Sequence, residues 1–225
     1  VRGEADTGFE IQVVPGATVW QVVEGLKVAD FLSGEVTEYP DEGSLAPDSY
    51  EVSVDQSRDE LLDLMAQKQS IRLDEAWANR AEGLPLQSKE EALILASIVE
   101  KETAVADERR QVASVFENRL NRGMRLQTDP TVIYGVTKGQ GVLGRGLRQS
   151  ELRSRTPYNT YVIEGLPPTP IANPGLESIK AAVNPGTTPY IFFVADGTGG
   201  HAFAETLEEH NKNVAAWRKI EASRN

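Results

Sequence analysis

Two acidic residues follow the longest apolar stretch of the chain and could carry acid–base chemistry. Residues 92–99 read A-L-I-L-A-S-I-V, and Glu100, Lys101 and Glu102 come directly after them. In a helix, residues three and four positions away are neighbours, and neither glutamate has a cation there. A carboxyl group held by a buried helix without a salt partner resists ionisation, as a general acid must. The alternative is that both acids are ordinary solvated residues at a helix end.

The segment that must position these acids has the pattern of a buried helix. Ser88 followed by Glu91 is a capping box, which marks a helix start. Residues 92–99 are apolar on nearly every face apart from Ser97, which favours burial on all sides. We therefore expect a central helix that ends at the two glutamates.

Further polar side chains are concentrated in two later segments. Gln127, Thr128 and Asp129 are consecutive and precede Pro130, with Tyr134 beyond them. Eight of the 12 prolines fall between residues 130 and 189, so residues 154–175 are expected to form a stiff wall. That wall carries Tyr158, Asn159 and Tyr161. Aromatic and amide groups on rigid loops suit sugar rings, although ordinary turn chemistry explains the same residues.

Several other kinds of site are disfavoured. The chain has no cysteine, and His201 and His210 are its only histidines. Neither histidine belongs to a metal-binding spacing or to a Ser-His-Asp set, and His201 is expected to be structural. The glycine-rich residues 138–146 lack the Lys-Ser or Lys-Thr of a phosphate-binding loop. If the protein is an enzyme, its catalytic groups are therefore expected to be carboxylates.

Composition and charge limit the partners. The 225 residues are 40% hydrophobic and 25% charged, with a net charge of −11. Residues 1–87 hold 18 acids and 6 bases, whereas residues 88–225 hold 16 acids and 17 bases. This acidity disfavours nucleic acid as a partner. The longest apolar run, of eight residues, is too short to span a membrane.

The local patterns predict an α+β fold: a small α/β unit, then a domain with a buried central helix and a β-rich, proline-rich part. After a frayed start at residues 1–8, we expect the following order: a strand at 9–13, a helix capped by Thr18 and extended to 32, a loop at 41–50, a helix capped by Ser57, a helix at 71–82, the central helix, a helix from Asp107 to Gly123, a helix at 177–183, a hairpin within 190–203 and a helix at 207–222.

Seven blocks of residues 88–225 resemble, in order, the YceG-like endolytic murein transglycosylases. They are L-I-L-A-S-I-V-E-K-E-T (93–103), V-A-S-V-F-E-N-R-L (112–120), M-R-L-Q-T-D-P-T-V-I-Y-G (124–135), P-Y-N-T-Y (157–161), G-L-P-P-T-P-I-A-N-P-G (165–175), A-A-V-N-P (181–185) and Y-I-F-F-V-A-D-G-T-G-G-H-A-F (190–203). The resemblance implies a catalytic domain at 88–225. It also implies a partial LysM-like region at 1–87, on less specific residues.

The resemblance implies cleavage of the β-1,4 bond between N-acetylmuramic acid and N-acetylglucosamine of peptidoglycan without water, leaving a 1,6-anhydro end. It puts the catalytic general acid and base on Glu100, with Glu102 as the competitor. The residues expected to bind substrate or support the site are Glu102, Gln127, Thr128, Asp129, Tyr134, Asn159 and Tyr161. No cofactor and no metal is implied.

The same resemblance implies a location and partners. Members of the family normally face the periplasm from an N-terminal helix in the inner membrane. Because these 225 residues contain no such segment, we expect a soluble portion of such a protein. Peptidoglycan strands are the expected partner, with cell-wall synthases nearby and strand termination as the role. Two alternatives stay open: a hydrolytic muramidase using Asp129 as a second carboxylate, and a non-catalytic glycan-binding module.

Overall fold

The computed structural model describes residues 8–224, so the predicted frayed start lies almost wholly outside the described residues. Its elements, in chain order, are β1 (Phe9–Gln12), α1 (Val19–Lys27), β2 (Ser49–Val52), α2 (Arg58–Ala78), α3 (Lys89–Glu102), a 3-10 turn (Ala106–Glu108), α4 (Arg109–Asn121), α5 (Asp129–Thr137), α6 (Gln149–Arg153), α7 (Leu176–Val183), β3 (Phe192–Ala195), β4 (His201–Ala204) and α8 (Leu207–Arg224). Two separate two-stranded antiparallel sheets accompany the helices. This confirms the α+β class.

The first sheet and α1 form the start of the fold. Thr18 caps α1 as predicted, since its Oγ1 accepts the Gln21 N–H and its own N–H donates to the Gln21 side chain. The helix ends at Lys27 rather than continuing to residue 32. The predicted loop at 41–50 is two residues too long, because Ser49 and Tyr50 belong to β2 and pair with β1.

Helix α2 joins two hydrophobic clusters. It is one helix of 21 residues, where the sequence predicted two shorter ones. Its first half, including Leu61 and Met65, packs in a cluster with β1, α1 and β2. Its second half, including Leu73, packs in the larger cluster built on α3. The division at residue 87 and the LysM-like character of the first part stay predictions.

Helix α3 is the buried central helix that the sequence predicted. Its start is fixed by Ser88, whose Oγ accepts the Glu91 N–H, while the Glu91 carboxylate accepts the Gln87 N–H at 2.6 Å. Leu95 and Ile98 are fully buried. The helix packs against α7, α4, α2 and α5, and the glutamates of its last turn contact the starts of α7 and α5.

Helix α4 and the second sheet form one wall beside the end of α3. The helix predicted from Asp107 begins later, since Asp107 lies in the 3-10 turn and α4 begins at Arg109. Gly123, the predicted end of this helix, follows α4 with the left-handed φ of 65° that is common for glycine after a helix. The predicted hairpin is present as β3 and β4, and α8 packs on it. Phe116 of α4 meets Phe193 of β3 edge-on, with ring centroids 5.7 Å apart.

The proline-rich residues 154–175 contain no helix or strand, and they connect the two clusters. The buried Asn173 side chain accepts the Leu45 N–H at 2.9 Å and donates to the Ala17 carbonyl at 3.0 Å. A Cβ on Gly43 would lie 2.6 Å from Pro170, so the backbone there must be glycine to pack so closely. No helix within residues 8–224 is both long enough and apolar enough to cross a membrane.

Candidate functional site

The last turn of α3 points its two glutamates in different directions. Successive residues of an α-helix are turned by about 100°, so Glu100 and Glu102 lie on nearly opposite sides of α3. Glu100 faces the start of α7, and Glu102 faces the start of α5. The two acids therefore have separate surroundings, which can be compared directly.

Glu100 is engaged in holding α7. Its Oε1 accepts the Gly175 N–H at 2.8 Å, and its Oε2 accepts the Ser178 hydroxyl at 2.9 Å. Gly175 is the N-cap residue of α7, where amides lack partners within the helix and attract negative charge. Both oxygens of Glu100 thus stabilise a helix N-terminus. Glu100 borders a cavity of about 200 Å³.

Glu102 has the surroundings that the sequence predicted for a general acid. Burial raises the pKa of Glu102 above its ordinary value, and the negative charge of Asp129 acts in the same direction. A hydrogen bond from the Thr128 hydroxyl and the proximity of His201 oppose this effect. Among the described residues Glu102 has no ion-pair partner. A carboxyl group with a raised pKa is suited to give up a proton near neutral pH.

Glu102 opens into a groove of about 590 Å³, here called the Glu102 groove. Its lining residues are Glu102, Phe116, Arg119, Leu126, Gln127, Asp129, Tyr161, Phe192, Phe193, Val194, Leu207, His210, Asn211 and Val214. Four of the residues predicted for the site are among them: Glu102, Gln127, Asp129 and Tyr161. The mixture of aromatic faces and hydrogen-bonding groups is what a sugar-binding groove requires.

The three consecutive polar residues before Pro130 differ in burial and in their contacts. Thr128 is buried and donates to Glu102, whereas Gln127 and Asp129 are exposed along the groove. Gln127 has a left-handed backbone with a φ of 52°, uncommon for a residue other than glycine. The Tyr161 hydroxyl donates to Asp129 Oδ1 at 2.6 Å, and burial together with this carboxylate holds the pKa of Tyr161 well above its usual range.

Arg119 holds the loop that carries these residues, and the sequence did not single it out. The buried guanidinium donates to the carbonyls of Ile191 and Arg125 at 2.7 and 3.0 Å. It thereby connects the loop before α5 to the residue that precedes β3, the strand that lines the other side of the Glu102 groove. An arginine near the end of an amphipathic helix gives no sequence signal of such a role, because its partners lie on other elements.

Three of the predicted binding residues do not line the Glu102 groove: Thr128, Asn159 and Tyr134. Asn159 is fully buried; its amide donates to three carbonyls, and its Oδ1 accepts the Tyr161 N–H. It therefore orders the loop behind Tyr161. Tyr134 donates its hydroxyl to Glu42 Oε2 at 2.9 Å and packs on Tyr158, so it lies at the contact with the first part of the chain.

A histidine–carboxylate pair supports the groove from behind. His201 Nδ1 lies 2.8 Å from Glu108 Oε2, and the His201 N–H donates to Glu108 Oε1. Glu108 also accepts a hydrogen bond from the hydroxyl of Thr103, the residue that follows Glu102 in the sequence. The expectation of a structural His201 fits these bonds. No group of three or more potential ligands within residues 8–224 has the arrangement of a metal site.

Replacing Thr128 by valine should shift the pH dependence of any reaction that uses Glu102 as an acid. Valine keeps the shape but removes a hydroxyl that stabilises the charged carboxylate, a bond type worth about 1.5–3 kcal/mol. The pKa of Glu102 should therefore rise further, and activity should persist to higher pH. Rate measurements across pH 5–9 on wild type and Thr128→Val test this, with Thr137→Val as the control. An unmoved alkaline limb would contradict it.

Known proteins are similar to most of this chain. The YceG-like family model matches residues 2–216. An endolytic murein transglycosylase of Bacillus subtilis strain 168 is 38% identical over 175 residues, covering 77% of this chain and 47% of the relative. An endolytic murein transglycosylase of Streptococcus pneumoniae strain D39 is 34% identical over 201 residues, covering 86% of this chain and 34% of the relative. The chain thus spans about a third to a half of these relatives.

A solved structure supports the same fold. The 2.6 Å crystal structure of a yceG-like protein from Listeria monocytogenes superposes with a TM-score of 0.74. The two sequences are 30% identical, and the match covers 90% of this chain and 75% of the other.

Proposed function

Since the chain belongs to the YceG-like family, we propose that it cleaves the β-1,4 bond between N-acetylmuramic acid and N-acetylglucosamine of peptidoglycan without water. The names of the relatives, endolytic murein transglycosylases, support this reaction class. The observation that carries the proposal is a desolvated glutamate, Glu102, at the edge of a groove with aromatic and hydrogen-bonding walls. No cofactor is needed for the chemistry proposed.

We assign the acid–base role to Glu102 in preference to Glu100, the residue that the family resemblance favoured. Both carboxylate oxygens of Glu100 accept hydrogen bonds from the N-terminal region of α7, and protonating Glu100 would weaken those bonds. Glu102 has one hydroxyl donor, a raised pKa and direct access to the groove. The assignment of Glu100 stays a prediction, and the two are separated by experiment below.

One carboxyl group can perform both steps of the proposed reaction. Protonated Glu102 gives its proton to the glycosidic oxygen while the bond from that oxygen to C1 of the muramic acid breaks. Positive charge develops on C1 and the ring oxygen, which the carboxylate of Asp129 can stabilise. Glu102, now a carboxylate, takes the proton from the 6-hydroxyl as O6 bonds to C1. The products are a free 4-hydroxyl and a 1,6-anhydro end, and Glu102 is again protonated.

A hydrolytic reaction is the second candidate, because Asp129 is another carboxylate on the same groove. Glycosidases that retain or invert configuration use two carboxyl groups on opposite sides of the scissile bond. Asp129 would then attack C1 or activate water. Its hydrogen bond from Tyr161 restrains it in one orientation, which suits electrostatic stabilisation as well as nucleophilic attack.

The biological setting is part of the proposal and rests on the family resemblance. We propose that the enzyme cuts within nascent strands and so terminates their elongation, at the outer face of the membrane on which synthases work. The word "endolytic" in the names of the relatives supports internal cleavage. Measuring the strand-length distribution of cell walls with and without the active protein would test this role.

Product analysis in ¹⁸O-labelled water distinguishes the reactions. Purified sacculi digested by the chain should yield anhydromuramyl ends that carry no ¹⁸O. Mass spectrometry of the released fragments makes the measurement, and a muramidase that adds water serves as the positive control for labelling. Reducing ends labelled with ¹⁸O would replace the proposal by hydrolysis, and strand binding without any cleavage would replace it by a binding module.

A further inference from the structure

A third cavity shares no lining residue with the Glu102 groove, whereas Arg72, Arg109, Leu176 and Glu177 line both it and the small cavity beside Glu100. It measures about 960 Å³ and lies between α2, the start of α4 and α7. We call it the arginine cleft, defined by Arg72, Arg109, Arg110 and Lys180 on its walls. Three acids, Glu75, Asp107 and Glu177, also line it, so its walls carry one positive charge in excess. No part of the proposed reaction uses this cleft.

Three of the four cations already have partners. Lys180 pairs with Glu177 at 3.1 Å, and Arg72 pairs with Asp48 at 2.6 Å. Arg110 donates to the Asn184 carbonyl at 2.9 Å. The Arg110 contact joins the start of α4 to the end of α7, and all three contacts leave those side chains with less capacity for a ligand.

Arg109 differs from the other three. Its Nε is buried and has no hydrogen-bond partner among residues 8–224, and no described carboxylate lies within ion-pair distance of it. The side chain as a whole is only half-buried, but a buried N–H donor without an acceptor is costly, since it loses water and gains nothing in exchange. Its planar fork fits a carboxylate in two parallel hydrogen bonds. Arg109 is therefore an anion-binding group that lacks its anion.

The position of the cleft limits what that anion could be. Ala106 and Asp107 of the 3-10 turn line the cleft, whereas Glu108 does not line it and instead contacts Thr103 and His201. Four peptide units separate Glu102 from Ala106, so their Cα atoms are at most about 14 Å apart. An extended peptide of four or five residues spans about 13–18 Å. A peptide attached to a sugar beside Glu102 can thus reach the cleft.

We propose that the arginine cleft binds a carboxylate of the peptide stem that is attached to muramic acid, with Arg109 as the anion ligand. The inference rests on the proposed function, because it identifies the substrate as strands that bear stems. Such peptides end in free carboxylates and supply the charge that Arg109 lacks. Binding there positions the muramic acid relative to Glu102, and the protein should favour stem-bearing strands over peptide-free ones.

Peptide titration tests the site independently of cleavage. A free stem tetrapeptide is titrated into the full chain, and binding is followed by NMR. The same titration is made with the peptide whose carboxylates are amidated. The unmodified peptide should bind at the cleft, and Arg109→Gln should weaken it by about tenfold or more, as expected for a lost charge-assisted pair. Arg109→Lys should retain part of the affinity, and Arg122→Gln, at the far end of α4, should retain all of it. Equal binding by wild type and Arg109→Gln, or equal binding of the amidated peptide, overturns the inference.

Cleavage of matched strands separates this inference from the proposed function. Wild type should show a higher kcat/KM on stem-bearing than on peptide-free glycan, and Arg109→Gln should lose that preference while cutting peptide-free strands normally. An equal loss on both strands would overturn the inference. Peptide binding that depends on Arg109 in a protein that cuts neither strand would instead refute the proposed reaction and leave the site intact.

Discussion

Replacing Glu102 by glutamine should lower the rate of glycan cleavage by about 10²–10⁴-fold, the usual contribution of general acid–base catalysis. Glutamine has nearly the same shape and can still accept the Thr128 hydroxyl, so the last turn of α3 should keep its structure. It cannot release a proton to the glycosidic oxygen. The effect should appear in kcat, with strand binding maintained. Initial rates by product mass spectrometry and binding by fluorescence anisotropy measure the two quantities.

The matched control is glutamine at position 100, two residues away on the same helix. Glu100→Gln should cut glycan within about tenfold of the wild-type rate and lose stability instead. A weakened charge-assisted bond at the start of α7 is expected to cost about 1–3 kcal/mol of the free energy of unfolding. If Glu100→Gln is inactive while folded and Glu102→Gln retains activity, the assignment reverts to Glu100.

The sequence predicts the two candidate acids but cannot choose between them, for a physical reason. Both residues follow the same apolar run, and neither has a cation within its own helix. What separates them lies far along the chain: Thr128 for Glu102, and Gly175 for Glu100. Such contacts depend on how α5 and α7 pack on α3. No local pattern contains that information.

Local features of the fold are predictable where the interaction itself is local. The caps at Thr18 and Ser88 and the left-handed Gly123 each depend on residues within a few positions, and all three are present. Strand β2 depends on pairing with β1 across about 40 residues, and its sequence resembles a loop until that pairing is known. Asn159 was predicted to bind substrate because an amide in a loop does not reveal whether backbone carbonyls will surround it.

Replacing the buried Glu117 by leucine should stabilise the protein strongly, and more so at alkaline pH. Glu117 lies on α4 with 4% of its surface exposed, and its Oε1 has no hydrogen-bond partner among the described residues. Burial raises the pKa of Glu117 to about 8 from an ordinary value of 4.5. Ionising it in the folded state costs roughly 4–5 kcal/mol at pH 9. Leucine removes this cost and adds apolar contact at similar volume.

The stabilisation by Glu117→Leu should increase as the pH rises. Below about pH 4.5, Glu117 is protonated in both the folded and unfolded states and does not affect stability through ionisation. Between about pH 4.5 and 8 the unfolded chain binds fewer protons, so the wild-type free energy of unfolding falls by about 1.4 kcal/mol per pH unit relative to Glu117→Leu. Above pH 8 the difference is constant. Urea unfolding at pH 5, 7 and 9 measures it, with Glu221→Leu on exposed α8 as the control. A difference that does not change with pH would show that Glu117 ionises freely in the folded protein.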